Sequence, residues 1–275
     1  MVDFNEQIGA WLSFVRRTYA SGTFSQYRCV IHQLQRYIEQ NNKDFESCSD
    51  IESFLDYKVE NGGSRKMFNS YLICIRNFYA WRRKRMQIPS PVHTIEFIRE
   101  DPPTQRCLSD DEIAKLLAHT DGMDKDIILF LANSGIRRAE LQDLKWGDIS
   151  KDERFFVVAS GKGRKKRTIP INDTIREVLH KYSRLSDDEP LQIAQIYYGH
   201  EGASWMIRRV ASKCGVKRAG CHAIRHYFAT KMIKKNINLY KLSKILGHSS
   251  PETTSKLYLH LAPCDLFGLT DCLLD

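Results

Sequence analysis

Between residues 222 and 260 the chain reads HAIRHYFATKMIKKNINLYKLSKILGHSSPETTSKLYLH. Within it stand His222, Arg225, His226, His248 and Tyr258, on helical patterns broken by the turn-forming LGHSSPETT. A guanidinium holds phosphate oxygens through charge-assisted hydrogen bonds. Imidazoles exchange protons near neutral pH, and a phenolic oxygen is a nucleophile for covalent catalysis. Together they form a phosphate-directed set followed by an attacking group, which suits chemistry on a nucleic-acid backbone.

The flanking sequence supplies elements to hold that set. Upstream, the apolar run DIILFLANSG stops at Gly135 and leads into IRRAELQDLKWGDI, read as helical. RFFVVAS then has strand composition, the loop GKGRKKR follows, and TIPI returns as a second strand. The resulting β-hairpin carries Lys162, Arg164, Lys165, Lys166 and Arg167, of which the last four are expected to contact a nucleic-acid backbone. Helical patterns resume in DTIREVLHKYSRL and SWMIRRVASKCG. Before these elements, Ser109 and Glu112 in SDDEIAKLLAH make a capping-box pattern that opens a helix.

Residues 1 to 90 read as four amphipathic helices. Phe4, Ile8, Trp11, Leu12 and Val15 recur at helical spacing, as do Tyr27, Val30, Ile31, Leu34, Tyr37 and Ile38. A third helix is predicted from Ser49-Asp50 to Gly62-Gly63, and a fourth ends in a basic turn. In that turn Arg76, Arg82, Arg83, Lys84 and Arg85 surround Phe78, Tyr79 and Trp81, a mixture able to grip phosphates while anchored in a core. Favourable pairing of cations with the end of a helix is the alternative. Residues 91–107 hold several prolines and break the periodicity, which reads as a linker. The expected fold is mainly α with a small β-hairpin: an all-helical domain at 1–90, an α+β domain at 108–262 and a tail at 263–275.

Forty-two Lys and Arg against 33 Asp and Glu give a net charge of +9, which suits a polyanionic partner. No run approaches the roughly 18 apolar residues of a membrane helix, and the N-terminus lacks a signal-peptide pattern. The expectation is a cytoplasmic protein with no membrane contact and no small-molecule substrate. The eight cysteines form no C-x-x-C pair and are read as reduced thiols; Cys214 and Cys221 beside His222 fit no zinc spacing.

The second domain resembles the tyrosine recombinases, the phage-integrase family. SGIRRAELQDLKWGDI is similar to the family's first arginine box, GKGRKKRTIPI to its hairpin lysine segment, HAIRHYFAT to its H-x-x-R box, and LGHSSPETTSKLYLH to its LGH segment and tyrosine. The first domain matches in type only, since the family usually places a helical core-binding domain there. The resemblance implies that Arg137 and Arg225 stabilise charge on the non-bridging oxygens, the R-x-x-E-L phase selecting Arg137 over Arg138. It implies Lys162 as general acid for the leaving 5′ oxygen, with Lys165 and Lys166 as competitors or phosphate contacts. His222 and His248 would stabilise oxygens or take the tyrosine proton. His226 would do the same or pack behind Arg225, and Glu140 would orient Arg137 or a histidine by a salt bridge. Tyr258 would be the nucleophile. Ten residues separate it from His248, one more than the family commonly has, and one inserted helical residue turns a side chain by about 100°.

The implied activity is site-specific strand exchange on double-stranded DNA through a 3′-phosphotyrosyl intermediate, by a homotetramer, with no cofactor. The tail, with Asp265, Asp271 and Asp275 beside Leu266, Phe267, Leu269, Leu273 and Leu274, would dock on a neighbouring subunit or fold on its own domain. The expectation is a two-domain recombinase without the arm-binding domain that some phage integrases carry before the helical one. A type IB topoisomerase and a catalytically silent DNA-binding relative are the rival readings; DNA site, host and the choice between integration and dimer resolution stay open.

Overall fold

The computed structural model describes residues 4–100, 107–160, 165–184, 186–195 and 202–247, with side chains at 160, 165, 194 and 195 left aside. The chain divides into two compact units, Met1–Pro103 and Thr104–Asp275. No described helix is long and apolar enough to cross a membrane.

The first unit is built from α1 (Phe4–Thr18), α2 (Ser21–Gln40), α3 (Cys48–Glu60) and α4 (Arg65–Met86). The apolar stripe read from the sequence is its core: Ile8, Trp11, Val15, Val30, Ile31 and Leu34 are buried. Trp11 stacks on Tyr27 at 5.6 Å and meets Phe78 edge-on at 5.3 Å, while its indole N–H donates to Asn77 Oδ1. Helix α3 begins before the expected Ser49-Asp50, because the Ser47 hydroxyl caps the Asp50 amide. The segment expected to be a linker packs on this unit. Val92 and Ile95 are buried in its core, and Asn69 both donates to the Ile98 carbonyl and accepts from the Ile98 amide.

Two arginines of α4 belong to the same packing. Arg82 is 2% exposed, its guanidinium bonds Glu46 and lies over the rings of Phe4 and Tyr79. Arg76 donates to the Ile95 carbonyl and stacks on Phe97. Both were expected at a DNA surface, and both instead hold the fold of the first unit. Arg83, Lys84 and Arg85 are exposed, as a phosphate-facing role requires.

The second unit comprises α5 (Asp110–Ala118), α6 (Gly122–Ser134), α7 (Arg138–Gln142), a 3-10 turn at Trp146–Asp148, β1 (Phe155–Ser160), β2 (Lys165–Pro170), α8 (Asp173–Leu179), α9 (Gln192–Gln195), α10 (Gly202–Lys213), α11 (Cys221–Lys234) and α12 (Leu239–Leu246). The capping box at α5 is present, with Ser109 and Glu112 bonded reciprocally. Helix α6 packs against α5, α8 and α11, which is why Ile127, Ile128, Phe130 and Leu131 are buried around most of its circumference. Helix α8 is shorter than its sequence pattern and ends at Leu179.

Strands β1 and β2 pair antiparallel, with Val158 opposite Arg167 and Phe156 opposite Ile169. Phe156, Val158 and Ile169 are buried while Phe155 and Lys166 face out. The two-residue alternation of strands therefore turns Arg167 toward the interior.

Candidate active site

Four segments converge where α6 ends. Helix α6 closes at Gly135 with φ +62°, and a Cβ there would come within 2.2 Å of the Phe228 ring on α11. Only glycine allows both this backbone and this closeness. Arg137 follows two residues later in extended conformation, as the residue before α7. It was expected on the helix itself. Its position just outside leaves its amide to donate to Glu140 Oε2 at 2.7 Å and its Nη1 to donate to Glu140 Oε1 at 2.8 Å.

Helix α11 presents His222, Arg225 and His226 at i, i+3 and i+4, one helical face. Arg225 is 6% exposed; its Nη1 donates to the Gly135 carbonyl at 2.8 Å and its Nη2 to the Leu246 carbonyl at 2.5 Å. Burial, then the neighbouring Arg137, lowers its pKa to about 9, which leaves the guanidinium charged at neutral pH. Each of the two bonded nitrogens keeps a second N–H, so Arg225 is fixed in place with donor capacity left for an anion.

Helix α12 ends at Gly247, which has φ +62°. Helix ends leave carbonyls without partners inside the helix, and here three successive ones meet three arginines. Ile245 O accepts from Arg167 Nε at 2.6 Å, Leu246 O from Arg225, and Gly247 O from Arg137 Nη2 at 2.9 Å. The negative end of the helix thus faces fixed positive charge.

Glu140 joins the network from below. Besides Arg137, it accepts from Arg167 Nη1 at 2.8 Å and Arg167 Nη2 at 2.7 Å, a two-pronged pair with both side chains under 10% exposed. Burial would raise this carboxyl, but the Arg167 hydrogen bonds, the Arg137 amide and the two guanidinium charges outweigh it and bring the pKa down to about 2. Glu140 therefore orients Arg137, the first of the two expected partners. Arg167 was expected to touch DNA; its guanidinium is instead turned onto Glu140 and α12.

His222 and His226 lie 6.2 Å apart, edge to face. Burial lowers both pKa values, helped at His222 by Arg225, Arg137 and Arg138 and at His226 by His222 and Arg225. Both rings are held toward the neutral form, able to accept a proton. A groove of about 520 Å³ opens beside His222, lined by Arg137, Arg138, Arg208, Arg218 and His222 itself at the start of α11. Among the described residues no carboxylate lines it, a charge balance that suits an anion. Arg208 and Arg218 escaped the sequence reading, although the pairs Arg208-Arg209 and Lys217-Arg218 marked both places.

The structure thus brings Arg137, Glu140, His222, Arg225 and His226 together. Lys162, Arg164, His248 and Tyr258 lie outside the described residues, as does the side chain of Lys165. Lys166 is exposed on β2.

The phage integrase family model matches residues 106–264, and the model for the phage integrase N-terminal SAM-like domain matches residues 9–86. A tyrosine recombinase of Thermosipho africanus is 28% identical over 278 residues, covering 95% of this chain and 96% of its own. The fold is similar to that of a lambda integrase dimer bound to a COC′ core site, with a TM-score of 0.74, 17% identity, and coverage of 93% of this chain and 77% of that one. It is also similar to a lambda integrase tetramer bound to a Holliday junction, with a TM-score of 0.73, 18% identity, and coverage of 91% and 79%.

Proposed function

The chain belongs to the phage integrase family and is a tyrosine-type site-specific DNA recombinase, and from that premise we propose how its residues share the work. The scissile phosphate lies against Arg137 and Arg225, whose remaining N–H groups bond the non-bridging oxygens as charge develops there. The observation that carries this is the shared anchoring of both guanidiniums to the end of α12 at Leu246 O and Gly247 O. Donors fixed before the reaction need no reorganisation during it.

Tyr258 attacks phosphorus with its phenolic oxygen, and the bond to the 5′ oxygen breaks. The tyrosine proton passes to an imidazole, for which His222 and His248 are placed by motif, and Lys162 protonates the leaving oxygen. The product is a 3′-phosphotyrosyl bond and a free 5′-hydroxyl. Attack by the 5′-hydroxyl of a partner strand reverses the step and releases Tyr258. His226, half-buried against Arg225, supports that residue from behind. Exchange between two duplexes calls for four subunits, in keeping with the lambda integrase tetramer on a Holliday junction. The acidic, apolar tail at 263–275 docks on a neighbouring subunit in such an assembly, and Arg83, Lys84, Arg85, Arg164, Lys165 and Lys166 contact the DNA backbone.

A pool of nicked duplexes with randomised sequence tests this. DNA that becomes covalently attached to the wild-type chain, once recovered and sequenced, defines the site. On that site Tyr258→Phe is expected to give no adduct, and an adduct that survives in the variant refutes the nucleophile assignment. Relaxation of plasmids lacking the site would instead favour the topoisomerase reading.

A further inference from the structure

We propose that Arg167 is a positioning residue of the strand-transfer site, a clamp that fixes both acceptors on which Arg137 depends; the inference rests on the role assigned to Arg137 above. Arg137 is 35% exposed, and its guanidinium direction is set by Glu140 Oε1 and Gly247 O. Arg167 holds the first of these directly, through two parallel bonds to the Glu140 carboxylate. It holds the second through the backbone, since its Nε bonds Ile245 O two residues before Gly247. A Cβ on Gly247 would lie 2.9 to 3.0 Å from Cδ, Nε and Nη1 of Arg167, so the arginine side chain runs directly across that glycine.

The geometry leaves Arg167 no face for DNA. All three guanidinium nitrogens are engaged within the fold and the side chain is 9% exposed. Without it, one carboxylate would face Arg137 alone and could follow it outward. The α12 end would keep only Arg225 and Arg137 itself. Lysine is no substitute, because a single ammonium cannot reproduce the planar fork that reaches two carboxylate oxygens and a carbonyl at once. Small misplacement of a group at a reacting centre costs about 100-fold in rate.

The test compares the wild-type chain with Arg167→Lys, Arg137→Ala and the double variant, on the site recovered by adduct capture. Two probes are used: the ordinary nicked duplex and one with a methylphosphonate at the scissile position, where a methyl group replaces a charged non-bridging oxygen. Arg167→Lys is expected to bind the site as wild type does and to form adduct about 100-fold more slowly on the ordinary duplex. On the methylphosphonate the ratio of wild type to variant is expected to shrink to a few-fold, as it does for Arg137→Ala, because the charge that Arg137 neutralises is gone. On the ordinary duplex the double variant is expected to be no slower than Arg137→Ala alone. Equal slowing on both probes, with additive effects in the double variant, would overturn the inference and mark Arg167 as a general support of the fold. Weaker binding with normal cleavage at saturation would overturn it too, and return Arg167 to the DNA contacts. Failure of the wild-type chain to capture any duplex at the recovery step would overturn the recombinase site itself, and is read before any Arg167 variant is compared.

Discussion

Replacing Glu140 with Gln keeps the shape of the side chain and removes the one negative charge that the described residues place among Arg137, Arg167 and Arg225. The wild-type carboxyl has a pKa of about 2 in the folded chain against an ordinary value of 4.5. Because the folded value is the lower one, its stabilisation is complete well above pH 4.5 and is lost as pH falls toward 2. A displacement of this size corresponds to roughly 3 kcal/mol at pH 7. Linkage then leaves about 1.4 kcal/mol by pH 3. The assay is urea unfolding of the wild type and Glu140→Gln at several pH values, followed by a probe specific to the second unit, since two units need not unfold together. The expected result is a gap between the two proteins that is widest at neutral pH and closes by more than half toward pH 3. A gap that stays constant over that range would refute the reasoning, because it would show that shape or packing, and not the carboxylate charge, carries the effect.

Arg225→Lys removes the fork that reaches two carbonyls and, in the proposed site, a phosphate, and adduct formation is expected to fall by about 100-fold or more, read by gel on the captured site. Arg82→Ala is expected to lower the stability of the first unit by about 2 kcal/mol through the packing lost over Phe4 and Tyr79, since Glu46 is 49% exposed and stays solvated, with no change in the salt dependence of DNA binding. Alanine at Arg83, Lys84 and Arg85 together should do the reverse, flattening the plot of log affinity against log salt by about 0.9 for each phosphate left without its cation. His222 has its pKa lowered from 6.5, so its contribution is present above 6.5 and lost as pH falls through the folded value. His222→Asn should therefore flatten the decline in stability just below pH 6.5, measured by thermal melting. Gly247→Ala places a side chain where φ is +62°, costing about 1 to 2 kcal/mol, and displaces Arg167; slowed cleavage with intact DNA affinity is the expected signature.

The boxes that suggested the chemistry were legible because they are local: H-x-x-R places His222 and Arg225 on one turn of α11, and the Ser109–Glu112 capping box fixes the start of α5 within four residues. What misled was polarity taken as exposure. Arg82 continues the buried line Ile75, Phe78, Tyr79 at helical spacing, so the stripe itself pointed it inward. Arg167 shares strand parity with Ile169, and the same alternation that predicted the hairpin placed it on the buried face. The proline-rich break at 91–107 hid Val92 and Ile95, because loss of periodicity reports irregular backbone and says nothing of burial. The Arg137–Glu140 pair, three residues apart, was legible; hidden altogether was the arrival of Arg167 at the same carboxylate from 27 residues away. The meeting with α12 depends on the closure of two distant turns, at Gly135 and Gly247, that no local pattern encodes.

The three arginines at the end of α12 grip main-chain oxygens, and an oxygen of the main chain is present whatever residue occupies the position. Alanine scanning through Ile245 and Leu246 would therefore report how those side chains pack and remain blind to the bonds that matter. The anchoring is invisible to ordinary mutagenesis on the acceptor side and tolerant of drift there. Exchange of an amide for an ester, which removes the backbone N–H and makes the preceding carbonyl a poorer acceptor, would expose it one bond at a time.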